Sequence, residues 1–284
     1  MTNRQSGDLK TLLCFVLFTL LISAQSCKKT DLKQEATVSA EELQQLKSFI
    51  SSSTGLPLDD VDYDALKKRF VVGKDIMVSL ANAQQRLKNT EISMPSPERS
   101  GQKIYTYTVT SANAAGIAIY ADNTVPTDWI SALDAAIANW NSTNSHVLMK
   151  RVVATTVTTT SGKGKKKTTT TSTVIPTYNI LVTTLYDAST SMVAQAYLPY
   201  YDGTCGNEIQ INTYYNTLTS SYKTFAITHE LGHTIGFTHT DGTYGNLIAG
   251  TPDTDPNSIM NSYVGPWNGF STYDLTAVTT IYPK

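Results

Sequence analysis

Cysteine is scarce in this chain, with three among 284 residues, at positions 14, 27 and 205. So few thiols cannot build the disulfide framework that holds many small exported domains together. An excess of charge is also lacking: 22 Lys and Arg stand against 23 Asp and Glu, a formal net charge of −1. That balance, with charge sparse throughout, excludes the basic footprint of a nucleic-acid-binding surface. The apolar run from Thr11 to Ala24 falls short of the roughly 20 residues a membrane-spanning helix needs. Histidine is scarce as well, but three of the four lie together between His229 and His239.

The short apolar run follows Arg4 and Lys10 and precedes small residues and a cysteine, the layout of an export signal. Leu21 to Cys27 resembles a bacterial lipobox, with Ala24 and Ser26 at the cleavage positions. The expectation is a signal peptide over 1–26 and a lipid anchor on Cys27, facing the periplasm or the cell surface; simple secretion is the alternative. Cys14 would leave with the signal and Cys27 would be lipidated, so Cys205 would have no partner for a disulfide.

The histidine cluster reads His229-Glu230-Leu231-Gly232-His233-Thr234-Ile235-Gly236-Phe237-Thr238-His239. Residues four apart share a helix face, so His229 and His233 can direct ring nitrogens at one metal ion, about 2.0–2.1 Å away for zinc. Glu230 sits too far round the helix to be a ligand but can reach a metal-bound water, the place of a general base. Gly236 permits the left-handed turn that brings His239 round as third ligand. Three ligands leave a fourth position for water or substrate, which marks a catalytic rather than a structural site.

These residues resemble the extended zinc signature of the metzincin metallopeptidases, and the best overall likeness is to the bacterial dual-action HEIGH metallopeptidases. Leu231 stands where isoleucine is usual. The resemblance implies a methionine turn at Ser258-Ile259-Met260-Asn261, with Met260 as the floor beneath the imidazoles. It also implies that Asp274 ties the C-terminal helix to that turn. Thr240 follows the third histidine, where other metzincin subfamilies carry Ser, Glu, Pro or Asp. Tyr263 lies one residue later than the tyrosine that contacts the metal or oxyanion in astacins and serralysins, and is either an oxyanion stabiliser or a packing residue at the rim. Phe70 to Asp75 loosely resembles the astacin latency motif, in which an aspartate takes the metal's open position; helix capping is the other reading of Asp75.

The implied fold is α/β (α+β): a metzincin-like catalytic domain over 102–284, with a mixed, mainly parallel five-stranded sheet, an active-site helix, a Met-turn and a C-terminal helix. Its elements are expected at 116–120, 127–141, 146–153, 179–185, 194–199, 208–212 and 221–235. Pro199 suits 194–199 to an edge strand over the cleft, where extended peptide can pair antiparallel. Residues 27–101 form a more polar region, a candidate prosegment, with helices expected at 40–50 and 75–87 and a linker at 95–101. Lys163 to Lys167 lies between threonine-rich blocks, either a projecting β-hairpin or a disordered insertion. His146 lies outside the cluster and reads as structural. Asp241, Asp253, Asp255 and Asn257 offer oxygens that suit either calcium or turn chemistry. The whole implies an exported zinc endopeptidase acting on protein or peptide, with a non-catalytic zinc-containing binding or adhesion module as the alternative.

Overall fold

The computed structural model describes residues 38–89, 102–164, 166–242 and 246–284. The signal, Cys27 and the linker at 95–101 lie outside the described residues. No described helix is long and apolar enough to cross a membrane.

The N-terminal part begins with α1 (Ala40–Thr54), capped by the Ser39 hydroxyl at its start and by left-handed Gly55 at its end. Three short strands follow, β1 (Val61–Asp64), β2 (Arg69–Val72) and β3 (Ile76–Ser79), and then α2 (Leu80–Asn89). The three strands form an antiparallel meander. A helix was expected over 75–87, but the chain divides there. Ile76, Met77 and Val78 are all fully buried, an apolar run that suits a strand paired on both sides, and the helix starts only at Leu80.

Beyond the linker come β4 (Lys103–Ile104), the short α3 (Ser111–Ala114), β5 (Ile117–Ala121), α4 (Thr127–Ser142) and β6 (Met149–Val152). A two-stranded ribbon, β7 (Thr155–Ser161) and β8 (Thr168–Val174), is exposed along its length, so the threonine-rich blocks form the hairpin. Then follow β9 (Ile180–Leu185), β10 (Ala194–Tyr197), β11 (Glu208–Asn212), α5 (Ser220–Ile235), β12 (Phe237–Thr238), β13 (Asn246–Leu247) and α6 (Thr272–Ile281).

The described residues form an eight-stranded sheet in the order β1-β2-β3-β10-β11-β9-β5-β6. Its last five strands are those expected, and their β11-β9-β5-β6 neighbours all pair parallel. The other three are the N-terminal meander, because β3 pairs parallel with β10, Ala196 opposite Ile76 and Tyr197 opposite Met77. β10 was expected at the edge and is instead an interior strand. Residues 39–284 accordingly make a single compact unit.

The apolar spacing of α4 explains its place. Trp129, Ala132, Leu133, Ala136, Ile137 and Trp140 recur at three- and four-residue intervals and are buried, giving one stripe that packs on α5. Trp140 closes the stripe: its indole N–H donates to the Thr228 carbonyl at 2.9 Å, and its ring stacks on Phe237 and meets Phe270 edge-on. Both Thr228 and Phe237 flank the histidine cluster, so this one side chain braces the site from behind. Replacing Trp140 with alanine should cost about 3–5 kcal/mol of stability, the range for large aromatic truncations in a core, measurable by urea denaturation.

Candidate metal centre

Almost all of α5 from Lys223 to Ile235 is buried, which puts His229 and His233 inside the protein on one helix face. Gly236 ends the helix in the left-handed conformation, φ 113°, and its N–H returns to the carbonyls of Gly232 and His233. The chain reverses into β12, which pairs with β4, and His239 follows at once. The three rings come together with centroids 4.5, 5.0 and 5.3 Å apart.

The hydrogen bonds settle which nitrogen faces inward. Nδ1 of His229 lies 2.7 Å from the Ile259 carbonyl and Nδ1 of His233 2.8 Å from the Phe237 carbonyl. A carbonyl only accepts, so each Nδ1 carries the proton and each Nε2 is left with a bare lone pair. Those two Nε2 atoms are buried and have no hydrogen-bond partner, as expected of atoms meant for a metal.

The fourth member of the cluster is Asp75. It comes from the tight turn between β2 and β3, where Gly73 and Lys74 both have positive φ, 57° and 84°. Glycine takes that conformation freely, whereas Lys74 is strained by it. The turn brings Asp75 Oδ2 to 3.1 Å from His239 Nε2 and 3.6 Å from His229 Nε2. One ligand atom from each of Asp75, His229, His233 and His239 can be chosen so that all lie within 4.8 Å of one another. Three imidazoles and a carboxylate at that spacing suit tetrahedral zinc.

The electrostatics follow from burial. Burial alone would raise the Asp75 carboxyl, but the charge of His239 and the hydrogen bond to its Nε2 hold it well below the usual carboxylate range. Burial lowers His233 well below an ordinary imidazole, helped by its two neighbouring rings. Burial also lowers His239, but the charge and hydrogen bond of Asp75, together with the charge of Asp241, outweigh it and the net shift is upward. Glu230, only 3% exposed, is pushed well above the normal range by burial first and by Asp75 second. Its Oε2 has no hydrogen-bond partner. It faces a cleft of about 400 Å³, which Asp75, Met192, Tyr215, His229 and Tyr263 also line.

Met260 is buried, and its Sδ would lie only 2.5 Å from a Cβ added at Gly232. The missing side chain of Gly232, next to His233, is thus the space that the methionine sulfur fills. Asp274 holds the turn to α6: it accepts from Ile259 N–H at 3.0 Å and the Ser258 hydroxyl at 2.7 Å, and forms a capping box with Ser271. Burial raises its carboxyl despite these bonds. Tyr263 is 56% exposed, and its hydroxyl donates to the Pro256 carbonyl at 2.9 Å.

Two residues escaped the sequence reading. Asn261 donates to the carbonyls of Asp255, Pro256 and Ser258 and accepts from the Thr240 hydroxyl at 2.6 Å, pinning the methionine turn to the residue after His239. Gln102 donates to Asp255, Ser258 and Asp274. Their only signal was position, next to Met260 and at the start of the domain. Of the candidate calcium oxygens, those of Asp255 accept from Gln102 and Ser271, and those of Asp241 from Ser262. His146 lies away from the cluster, its backbone N–H donating to the Tyr282 carbonyl.

Comparison with known proteins is consistent with this centre. Residues 70–246 match the family described as dual-action HEIGH metallo-peptidase, a span that takes in both the Asp75 turn and the three histidines. Two structures of myroilysin are similar, one at 13% identity over 61% of this chain and 85% of that one with a TM-score of 0.39. The other is 14% identical over 64% and 98%, with a TM-score of 0.43. The hatching enzyme HCE-1 of the medaka Oryzias latipes, a zinc-protease, is 14% identical over 62% and 93%, with a TM-score of 0.39. No curated protein sequence matches the chain. Substituting His233 with alanine should lower zinc affinity by at least about 100-fold, because one of three imidazole donors is lost; metal content after dialysis against a graded chelator series measures it.

Proposed function

The chain belongs to the dual-action HEIGH metallopeptidase family and is a zinc metalloendopeptidase; from that premise we propose that Glu230 is its general base and that Asp75 and β3 keep it latent. The observation that carries this reading is the convergence of three imidazoles and Asp75 beside the partnerless, buried carboxyl of Glu230.

His229, His233 and His239 would hold the zinc. When bound, the metal supplies Lewis acidity, polarising the scissile carbonyl and making water a better acid. Glu230 takes a proton from the attacking water as its oxygen bonds to the carbonyl carbon, then delivers that proton to the amide nitrogen as the C–N bond breaks. A dry wall that favours the protonated carboxyl suits a group that must accept and return a proton. Replacing Glu230 with glutamine should reduce cleavage of denatured casein by at least about 1000-fold with zinc content unchanged; wild-type turnover in that variant would refute the assignment.

Asp75 supports latency because its carboxylate lies where a fourth donor would sit. The strand it leads into supports latency independently. β3 takes the flank of β10 that an extended substrate would need, with Ala196 N–H already donating to the Asp75 carbonyl and Leu198 N–H to the Met77 carbonyl. Activity therefore requires β3 and its turn to withdraw, and removing the Asp75 carboxylate eases that withdrawal by deleting its contacts with His229 and His239. Asp75→Ala in the full-length chain should raise casein cleavage at least about 10-fold over wild type in equal zinc, and identical rates in the two proteins would exclude a blocking role.

Export fits a latent peptidase, which must not act inside the cell that makes it. The basic residues, apolar run and lipobox-like segment before Cys27 support export and a lipid anchor on that cysteine, with substrates among proteins or peptides outside the cytoplasm.

A further inference from the structure

A second enclosed site lies where α2 meets the catalytic part. Arg86 is fully buried, and its guanidinium carbon lies 3.8 Å from the centre of the Tyr107 ring and 4.5 Å from that of Tyr105. The guanidinium also donates to the Pro199 carbonyl, and its Nε donates to Asn82 on its own helix at 3.0 Å. Two aromatic faces and a carbonyl around one planar cation form a built guanidinium clamp. The clamp itself, Tyr105, Tyr107 and Pro199, belongs to the part of the chain that carries the zinc ligands. Only its occupant comes from the N-terminal module.

The clamp stands in line with the cleft. Tyr105 N–H donates to the Gly236 carbonyl at 2.7 Å, at the end of the zinc helix. Pro199 lies two residues after the end of β10, just beyond the last β3 contact at Leu198. Asp75 reaches the metal cluster beside Ala196, three residues before Pro199, and three strand residues span about 10 Å. A peptide paired antiparallel to β10 with its scissile bond at the cluster would extend its N-terminal side toward Pro199. The side chain it lays there meets the same rings that now hold Arg86.

We propose that Tyr105, Tyr107 and the Pro199 carbonyl form a guanidinium-recognition subsite of the substrate cleft, filled by Arg86 in the latent chain and by a substrate arginine after the N-terminal module withdraws. The arginine lies roughly three to five residues before the scissile bond. This inference rests on the peptidase reading above. Lysine is a poorer fit, because an ammonium cannot lie flat between two rings while donating in its own plane.

Two measurements on the full-length chain test it. In Arg86→Ala, propylguanidinium should raise the thermal midpoint saturably while butylammonium at equal concentration should not, and adding Tyr107→Ala should remove the effect. If Arg86→Ala does not fold, Arg86→Gln serves in its place. Absence of selective rescue overturns the clamp. In the zinc-loaded chain carrying Asp75→Ala and Arg86→Ala, a peptide series places arginine, lysine or glutamine two to six residues before the scissile bond. Arginine should raise kcat/KM about 10-fold over glutamine at one position, and Tyr107→Ala should collapse that discrimination. Turnover with no arginine preference overturns the substrate role while leaving the peptidase reading intact. No turnover with guanidinium rescue intact, even after limited proteolysis has removed the N-terminal module, overturns the peptidase reading and the substrate role with it.

Discussion

The centre depends on two hydrogen bonds, from His229 Nδ1 to the Ile259 carbonyl and from His233 Nδ1 to the Phe237 carbonyl. They fix the tautomers, and the tautomers decide whether a lone pair or a proton faces the metal. Much of the surrounding structure places those two carbonyls. Gly236 turns the chain so that the Phe237 carbonyl comes back under its own helix. Asp274 grips the Ile259 amide from the start of α6, and Asn261 staples the same turn to Thr240. Trp140 backs both ends by stacking on Phe237 and bonding to Thr228. A short helix-to-helix segment thus serves as a rigid mount for two carbonyl oxygens.

The N-terminal module reuses the same economy. One meander completes the sheet, and its β2–β3 turn projects a single carboxylate onto the imidazoles. The unfavourable backbone at Lys74 shows how sharply the turn is constrained. Asp75 gains three imidazole neighbours for its charge, and β3 gains a second strand partner in β10. Covering the edge and covering the metal are therefore consequences of one docking event.

The three clustered histidines were legible in the sequence, because His229, His233 and His239 fall within one short stretch around Gly236 and local helix and turn geometry was enough to bring their rings together. Strands β5 and β9 were legible from apolar runs and α4 from its three- and four-residue spacing, whereas β10 was placed through the metzincin resemblance. The reading failed where partners lie far apart in the chain. Residues 76–79 looked helical because nothing local reveals that β10 waits to pair with them. The edge position given to 194–199 failed for the same reason. Asp75 was recognisable only as a loose motif, since its meaning depends on reaching His239 across 164 positions of sequence. Asn261 and Gln102 carry no periodic signal, being polar residues whose partners are backbone carbonyls and carboxylates gathered by folding.

The pairing of β3 with β10 carries a consequence for the protein after release. Withdrawal would leave β10 bare on the side that β3 now covers, with the Ala196 and Leu198 N–H groups turned outward. Such an edge is sticky toward any extended chain, a second copy of the enzyme included. On the latency reading the module shields the strand as much as the metal, and an enzyme freed of it would rely on substrate or dilution to keep that edge from finding its own kind.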